Sequence, residues 1–221
     1  MVSRSGSGLA GSPGRVGQKV RLREVGPRDR RALMGFDRDS ARDGIRRVGG
    51  YRHWAAHRSG PAGSGDDVHF GIETVHGRLL VGSMCTMGAD PVSGRFSYGI
   101  GIAPRHQRCG YASDAITVLL GHMFERGFRK CEVSVYGGNL ASRSLHGGLG
   151  FREEDRLRDT ELQRGAVKYL VVMGITADEF AARHPDDGAG GCRGRHSRPR
   201  RGKHWHMHVA HLTTRSSSER G

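Results

Sequence analysis

The stretch Pro104-Arg105-His106-Gln107-Arg108-Cys109-Gly110-Tyr111-Ala112 has the make-up of an anion cradle. It runs straight into a segment whose apolar residues recur at helical spacing. A loop that feeds a helix N-terminus leaves several backbone N–H groups unpaired, and the helix dipole adds partial positive charge. Small residues at Gly110 and Ala112 let the backbone come close to a pyrophosphate, and Arg105 and Arg108 add side-chain charge. A loop glycine also serves a plain turn, so the chemistry at this point is that of an anion site or of a tight connection. The loop is neither of two familiar phosphate motifs: no Lys-Ser/Thr pair follows, and no GxGxxG is present. Cys109 sits inside it, as a thiol at a ligand site or simply as a small residue.

Other chemistry-bearing groups are looser. Residues 192–211 hold Cys192, His196, His204, His206, His208 and His211, but their spacing fits no tetrahedral zinc motif, and no resident metal is expected. Cys85, Cys109, Cys131 and Cys192 form no CxxC pair, which argues against a disulfide framework and for a reducing cytoplasm. Tyr51, His53 and Trp54 lie in a Gly-rich stretch, where they would line an acceptor mouth or cover a core edge.

The elements that must position the cradle follow from periodicity. Val20 to Val25 alternates apolar and charged residues, as a half-buried strand does. After Gly26-Pro27, residues Arg28 to Asp39 read as a helix with Ala32, Leu33 and Phe36 inward. Val68–Thr74 and Leu79–Met87 read as strands joined at His76-Gly77, and Phe96–Ala103 as a third. Ser113 to Arg126 is the strongest helix: Ala115, Ile116, Leu119, Leu120, Met123 and Phe124 share one face, Ser113 caps the start and Gly127 ends it. Cys131, Val133 and Val135 alternate with polar neighbours in a following strand. Asn139 to Gly148 then reads as a short helix and Lys168 to Ile175 as a strand. Strand, helix and strand with that crossover imply a locally parallel pair inside a mixed α/β sheet.

The chain has 221 residues, 36 Lys+Arg against 22 Asp+Glu, and 35% hydrophobic residues. That suits one domain of ordinary size with tails. No run of about 18 apolar residues is present, so no membrane partner is expected, and the Ser/Gly/Arg-rich start has no signal-like apolar core. The charge is uneven. Residues 1–65 carry 14 Lys+Arg against 5 Asp+Glu, residues 66–182 carry 13 against 14, and residues 183–221 carry 9 against 3. A basic domain would point to nucleic acid; here only the flanks are basic, so RNA contact is expected through those arms or not at all. The expected organisation is a disordered leader over 1–18, a folded domain over 19–182, and a basic His/Arg-rich disordered tail over 183–221.

At the cradle the residues also carry a resemblance. The string GIGIAPRHQRCGYASDAITVLL resembles the central motif of the GCN5-related N-acetyltransferases, whose Q/R-x-x-G-x-G/A loop appears here as Gln107-x-x-Gly110-x-Ala112. Asn139-Leu-Ala-Ser142, followed by Leu149-Gly150-Phe151, is similar to the family's N-x-x-S…LGF segment, closest to the ribosomal-protein N-acetyltransferase branch. The resemblance spans roughly Val20 to Phe180. It implies a mixed, mostly antiparallel twisted sheet with a central splayed parallel strand pair flanked by helices. It further implies acetyl-CoA as co-substrate, with no metal, and direct acetyl transfer to a primary amine, on a protein N-terminus or a small molecule. The pantetheine arm would pair with Ile100, Gly101 and Ile102. The pyrophosphate would sit on Gln107, Arg108, Cys109, Gly110, Tyr111 and Ala112, and Asn139 would contact the pantetheine portion.

Such a transfer needs a neutral amine and a proton for the leaving thiolate. Many members place a tyrosine acid where this chain has His146, so His146 is either the proton donor or a solvent-facing helix residue. Ser142 matches a serine of the ribosomal-protein branch and, with Tyr136 and Ser144, is a fallback donor. Glu73, on the strand before the hairpin, is the candidate base or an exposed strand residue. Ser97 stands where polyamine and ribosomal-protein relatives often carry Glu. A homodimer is compatible with the pattern. Two other classes fit: a non-catalytic CoA-binding module that has lost its acid, and an aminoglycoside- or polyamine-type acetyltransferase.

Overall fold

The computed structural model describes residues 16–42, 67–163 and 166–185. Seven strands form one sheet in the order β1-β2-β3-β4-β5-β7-β6. They are β1 (Val20–Glu24), β2 (His69–Thr74), β3 (Leu80–Asp90), β4 (Arg95–Ile102), β5 (Lys130–Tyr136), β6 (Arg152–Gln163) and β7 (Ala166–Thr176). Among the described residues the helices are α1 (Arg30–Arg42), α2 (Tyr111–Glu125), α3 (Leu140–Leu149) and α4 (Ala177–Arg183), with 3-10 turns at Pro27–Asp29 and Pro104–His106. Every strand pair is antiparallel except β4 with β5. The mixed sheet expected from the strand–helix–strand order is therefore present.

Alternation explains which strands form where. Cys131, Val133 and Val135 of β5 are buried while Ser134 is exposed, and Val20 and Leu22 of β1 are buried. In α2, Ala115, Ile116, Val118, Leu119, Leu120 and Met123 pack into the core with Phe70, Phe96 and Phe128 of the sheet side. Gly127, at φ +95°, ends that helix as a left-handed residue, as its sequence position predicts.

Four expectations shift. Helix α2 starts at Tyr111, with Gly110 as its N-cap, so Ser113 lies inside the first turn and does not cap it. In α1, Leu33 and Phe36 are buried but Ala32 is exposed. The 3-10 turn at Pro27–Asp29 takes the place of the expected first helical residues and sets the helix phase. Strand β6 was not expected at all. Its run Arg152-Glu-Glu-Asp-Arg-Leu-Arg-Asp is charged on both faces because among the described residues it is an edge strand, paired only to β7. Helix α4 was likewise unforeseen, although Thr176 and Glu179 close a capping box at its start.

Candidate active site

The parallel pair lasts for two residues. Arg95 aligns with Lys130 and Phe96 with Cys131, and beyond them β4 runs on to Ile102 and β5 to Tyr136 with no pairing between the two. The sheet therefore forks at its centre. On its other side β4 stays paired to β3, Met84 with Ile100, Ser83 with Gly101 and Gly82 with Ile102. Among the described residues, Ile100 and Gly101 thus lie where β4 has β3 on one side and no strand on the side of the fork. Such an edge accepts an extended chain through its main-chain groups.

The cradle stands at the far end of that edge. Arg108 and Gly110 both have positive φ, +65° and +78°, which turns the chain sharply into α2. The amides of Arg108, Cys109, Gly110, Tyr111, Ala112 and Ser113 have no hydrogen-bond acceptor among the described residues. The Gln107 amide differs, being given to the Pro104 carbonyl at 3.2 Å. Gln107 instead reaches back with its side chain, Nε2 lying 3.4 Å from the Ile102 carbonyl at the end of β4. The Cys109 thiol lies 3.4 Å from the Gln107 carbonyl and is exposed. A row of unpaired donors at the start of a helix of 15 residues is an anion site by its electrostatics alone.

Two residues that the sequence reading passed over complete this corner. Asp114, in the first turn of α2, accepts hydrogen bonds from the backbone amides of Gln18 (3.1 Å), Lys19 (2.8 Å) and Val20 (2.8 Å). That clamp holds the approach to β1 over the helix start. Lys19 then donates from Nζ to the Cys109 carbonyl at 3.0 Å, which sets an ammonium beside the cradle. An acid in the first turn of the strongest helix was the available sequence signal.

At the apex of the fork lies a buried polar pair. Tyr98 is two positions past the last β4–β5 pairing, and its hydroxyl is 2.8 Å from Nε2 of His146 on α3. The Nδ1 of His146 is 2.7 Å from the Ser142 carbonyl and 3.3 Å from the Ser142 hydroxyl. A carbonyl only accepts, so Nδ1 carries the proton and Nε2 accepts the Tyr98 hydroxyl. The rings stack at 5.9 Å, and Phe151 meets His146 edge-on at 5.1 Å. His146 is only 4% exposed, so the solvent-facing alternative is overturned: the helix turns this position into the sheet. Burial lowers its pKa and raises that of Tyr98, so both groups rest neutral.

Asn139 caps α3, its Oδ1 accepting from the Ser142 amide at 3.1 Å. Its Nδ2 has no partner among the described residues. Ser142 is thus drawn in twice, as the residue capped by Asn139 and as the carbonyl that orients His146. Ser144 is exposed.

Glu73 is neither exposed nor free, contrary to both expectations held for it. Arg21 donates to its Oε1 from Nε at 2.9 Å and again from its terminal guanidinium nitrogen, and Arg23 donates to its Oε2 at 2.6 Å. Arg23 also forks onto Asp29, at 2.7 and 2.8 Å. Although burial opposes ionisation of Glu73, the two guanidiniums prevail and its pKa is lowered. A carboxylate so committed is a weak base at neutral pH; it ties β1 to β2 and to the turn before α1. The aromatic group Tyr51, His53 and Trp54, and the Cys/His cluster of 192–211, lie outside the described residues, as do the basic flanks. Among the described residues no helix is long and apolar enough to cross a membrane.

A forked sheet edge that leads to a helix start rich in donors has the geometry that suits a long, phosphate-bearing ligand. The acetyltransferase (GNAT) domain profile matches residues 19–152, and the chain belongs to that family. It is 31% identical over 106 residues to the SPbeta prophage-derived uncharacterized N-acetyltransferase YokL of Bacillus subtilis. That match takes in 48% of this chain and spans 60% of the relative's length. Its fold is similar to the spermidine N-acetyltransferase of Vibrio cholerae solved with CoA and spermine: TM-score 0.61, 19% identity, 73% of this chain and 97% of that one. It is also similar to a GNAT-family protein of Chromobacterium violaceum: TM-score 0.62, 21% identity, 81% and 98% of the two chains. At such identities the likeness is one of fold.

Proposed function

We propose that the protein is an acetyl-CoA-dependent N-acetyltransferase that moves an acetyl group directly to a primary amine. The observation that carries this reading is the fork of β4 and β5, with β4 running on past its last pairing with β5 toward the amides of Arg108 to Ser113, which have no acceptor among the described residues. In this reading the pantetheine arm lies along that stretch of β4 and the pyrophosphate on the cradle from Gln107 to Ala112. Asn139 offers its Nδ2 to the pantetheine portion and Ser142 shapes the wall beside it. The free amide row and the positive φ at Gly110, where a side chain would crowd the backbone approach, suit such a ligand. Acetyl-CoA supplies the activated thioester. The protein's part is to hold it, to keep the amine neutral and to manage the proton that transfer releases. The acceptor is a small amine or a protein N-terminus.

Calorimetric titration of the full chain with acetyl-CoA, followed by thiol release with spermidine and with an unblocked serine-initial peptide, tests this. Micromolar binding with turnover of either amine supports it. Binding without turnover of any amine points to the CoA-binding module instead, and absence of binding sinks both.

A further inference from the structure

Helix α1 carries an open pocket of about 490 Å³, lined by Pro27, Arg30, Arg31, Met34 and Arg38. Its three arginines are exposed, and none of them has an ion pair or hydrogen bond among the described residues. The helix supplies no counter-charge. The positions in α1 three and four residues from each arginine hold Leu33, Met34, Gly35, Ala41 and Arg42, none of them an acid. Asp37 and Asp39 adjoin Arg38 in sequence and so lie about 100° from it around the axis. Asp29, in the turn before the helix, is buried and already forked by Arg23 at 2.7 and 2.8 Å. On the strands, by contrast, Arg21, Arg23, Arg95, Arg152 and Arg156 each lie against a carboxylate. Three guanidiniums around one pocket repel one another, and an anion entering it relieves that repulsion. Gly35, four residues after Arg31 and three before Arg38, adds a notch: a Cβ there would meet nothing within 4 Å among the described residues. A glycine inside a helix is less stable than an alanine, and packing among the described residues does not ask for one here. The inner side of α1 fixes where the pocket stands. Leu33 and Phe36 pack with Ala103 and Leu80, and the Arg105 guanidinium lies 5.8 Å over the Phe36 ring. Ala103 joins β4 to the turn before the cradle, so the pocket is one helix width, about 10 Å, from the exit of β4.

We propose that this pocket docks an acidic segment of the acceptor, a protein whose N-terminal amine receives the acetyl group. Carboxylates of that segment pair with Arg30, Arg31 and Arg38, and an apolar side chain between them rests on Met34 and Pro27. This deepens the acetyltransferase reading and rests on it. Charge decides the sign of the partner: a polyamine would bring ammonium groups to a cationic helix, whereas an acidic chain supplies the missing counter-charges. Chemistry decides its class. A guanidinium forks onto a carboxylate through two parallel hydrogen bonds, and a methionine floor adapts to an apolar side chain of any shape. A single-stranded nucleic acid is held instead by stacking of its bases on aromatic rings, and the lining of this pocket contains none. Docking at α1 raises the local concentration of the acceptor amine beside the fork without adding any contact to the reacting atoms.

The test uses the full chain and a peptide with an unblocked N-terminal serine, a Gly-Ser linker, a Glu-Leu-Glu-Glu-Leu-Glu tract and a fluorescent label at its C-terminus. A second peptide carries Gln for every Glu. Anisotropy at physiological salt should show binding of the acidic peptide alone. The triple variant Arg30→Gln, Arg31→Gln, Arg38→Gln should bind it about tenfold or more weakly, with acetyl-CoA affinity within about twofold of wild type. Glutamine is a good helix former, so α1 is kept. Because the flanks of the chain are basic, the control Arg198→Gln, Arg200→Gln, Arg201→Gln removes the same charge from residues 183–221 and should bind as the wild type does. In thiol release, the wild type should show a lower KM for the acidic peptide than for its Gln counterpart, and the α1 variant should lose that difference. Equal losses in the two triple variants, or equal binding of the two peptides, would overturn the docking site. So would a single-stranded RNA that binds more tightly than the acidic peptide and is weakened by the α1 substitutions. Acetylation of both serine peptides with the same KM overturns the docking site and leaves the acetyltransferase reading standing. Binding of acetyl-CoA and of the acidic peptide with no amine acetylated overturns that reading, and the acceptor role of the pocket with it.

Discussion

Asp114 and Lys19 meet across the start of α2: the Asp114 carboxylate accepts the Lys19 backbone amide at 2.8 Å, while the Lys19 ammonium passes over to the Cys109 carbonyl at 3.0 Å. One acidic residue in the first turn of a helix thereby anchors the first strand and delivers a cation to the loop before that helix. The carboxylate is favoured there by the helix dipole, and the ammonium by the carbonyl it bonds. Fold and site share this contact.

Loss of the clamp should therefore be felt in both. Asp114→Ala leaves the amides of Gln18, Lys19 and Val20 without their acceptor, and should lower unfolding stability by about 1–3 kcal/mol. Urea denaturation checks the stability. Calorimetry should show acetyl-CoA affinity reduced several-fold, since Lys19 is no longer held beside Cys109.

Gly110 holds φ at +78°, and a Cβ built on it would lie 2.7 Å from the Lys19 Nζ. The lysine end can move aside, so the lasting cost of Gly110→Ala is the left-handed backbone, roughly 1–2 kcal/mol. The variant should fold, and its acetyl-CoA affinity should fall more than its stability. Titration calorimetry beside a denaturation curve separates the two; unchanged affinity would remove this glycine from the cradle.

Stability should fall in two stages on acidification. Burial pushes the pKa of His69 down to about 4 from 6.5, so the unfolded chain binds its proton first and folded-state stability drains away as pH falls from 6.5 toward 4. That stage is worth on the order of 2–3 kcal/mol. Glu73 and Asp29, both lowered and both bonded to Arg23, give stability that is present above their ordinary carboxylate range. It is lost as pH drops through their folded values, below the His69 stage. In His69→Gln the first stage should shrink to the part that buried His146 supplies and the second remain, as urea midpoints measured across pH 3 to 7 would show. A first stage of undiminished size in the variant would exclude His69 as a cause.

At the C-terminal side of the domain, Thr176 accepts the Glu179 amide at 3.2 Å, and Glu179 returns a bond to the Thr176 amide at 3.0 Å. Thr176→Ala should cost about 1 kcal/mol. The loss should appear as a lower denaturation midpoint with unaltered acetyl-CoA binding, because α4 touches β7 and the core through Phe180 rather than the cradle.

What could be read from residues in order was whatever has a short period or a fixed local spacing. The apolar stripe of α2, the alternation of β5 and the Gln107-x-x-Gly110-x-Ala112 loop are of this kind, and each stands where its spacing placed it. Strand β6 escaped because an edge strand with no covered face has no alternation to display, and α4 because a helix of seven residues offers too few turns for a stripe. The fork was expected only through the family resemblance, and the shielding of Glu73 by two arginines and the Tyr98–His146 bond were decided by tertiary structure alone. Tyr98 and His146 are 48 residues apart, and Arg21 and Glu73 are 52. Their meeting depends on which faces of β4, β1 and α3 are turned inward together. Local periodicity says that a residue is inward; only the packed sheet and helices say what it meets there, and so whether a histidine faces water or accepts the hydrogen bond of a buried phenol.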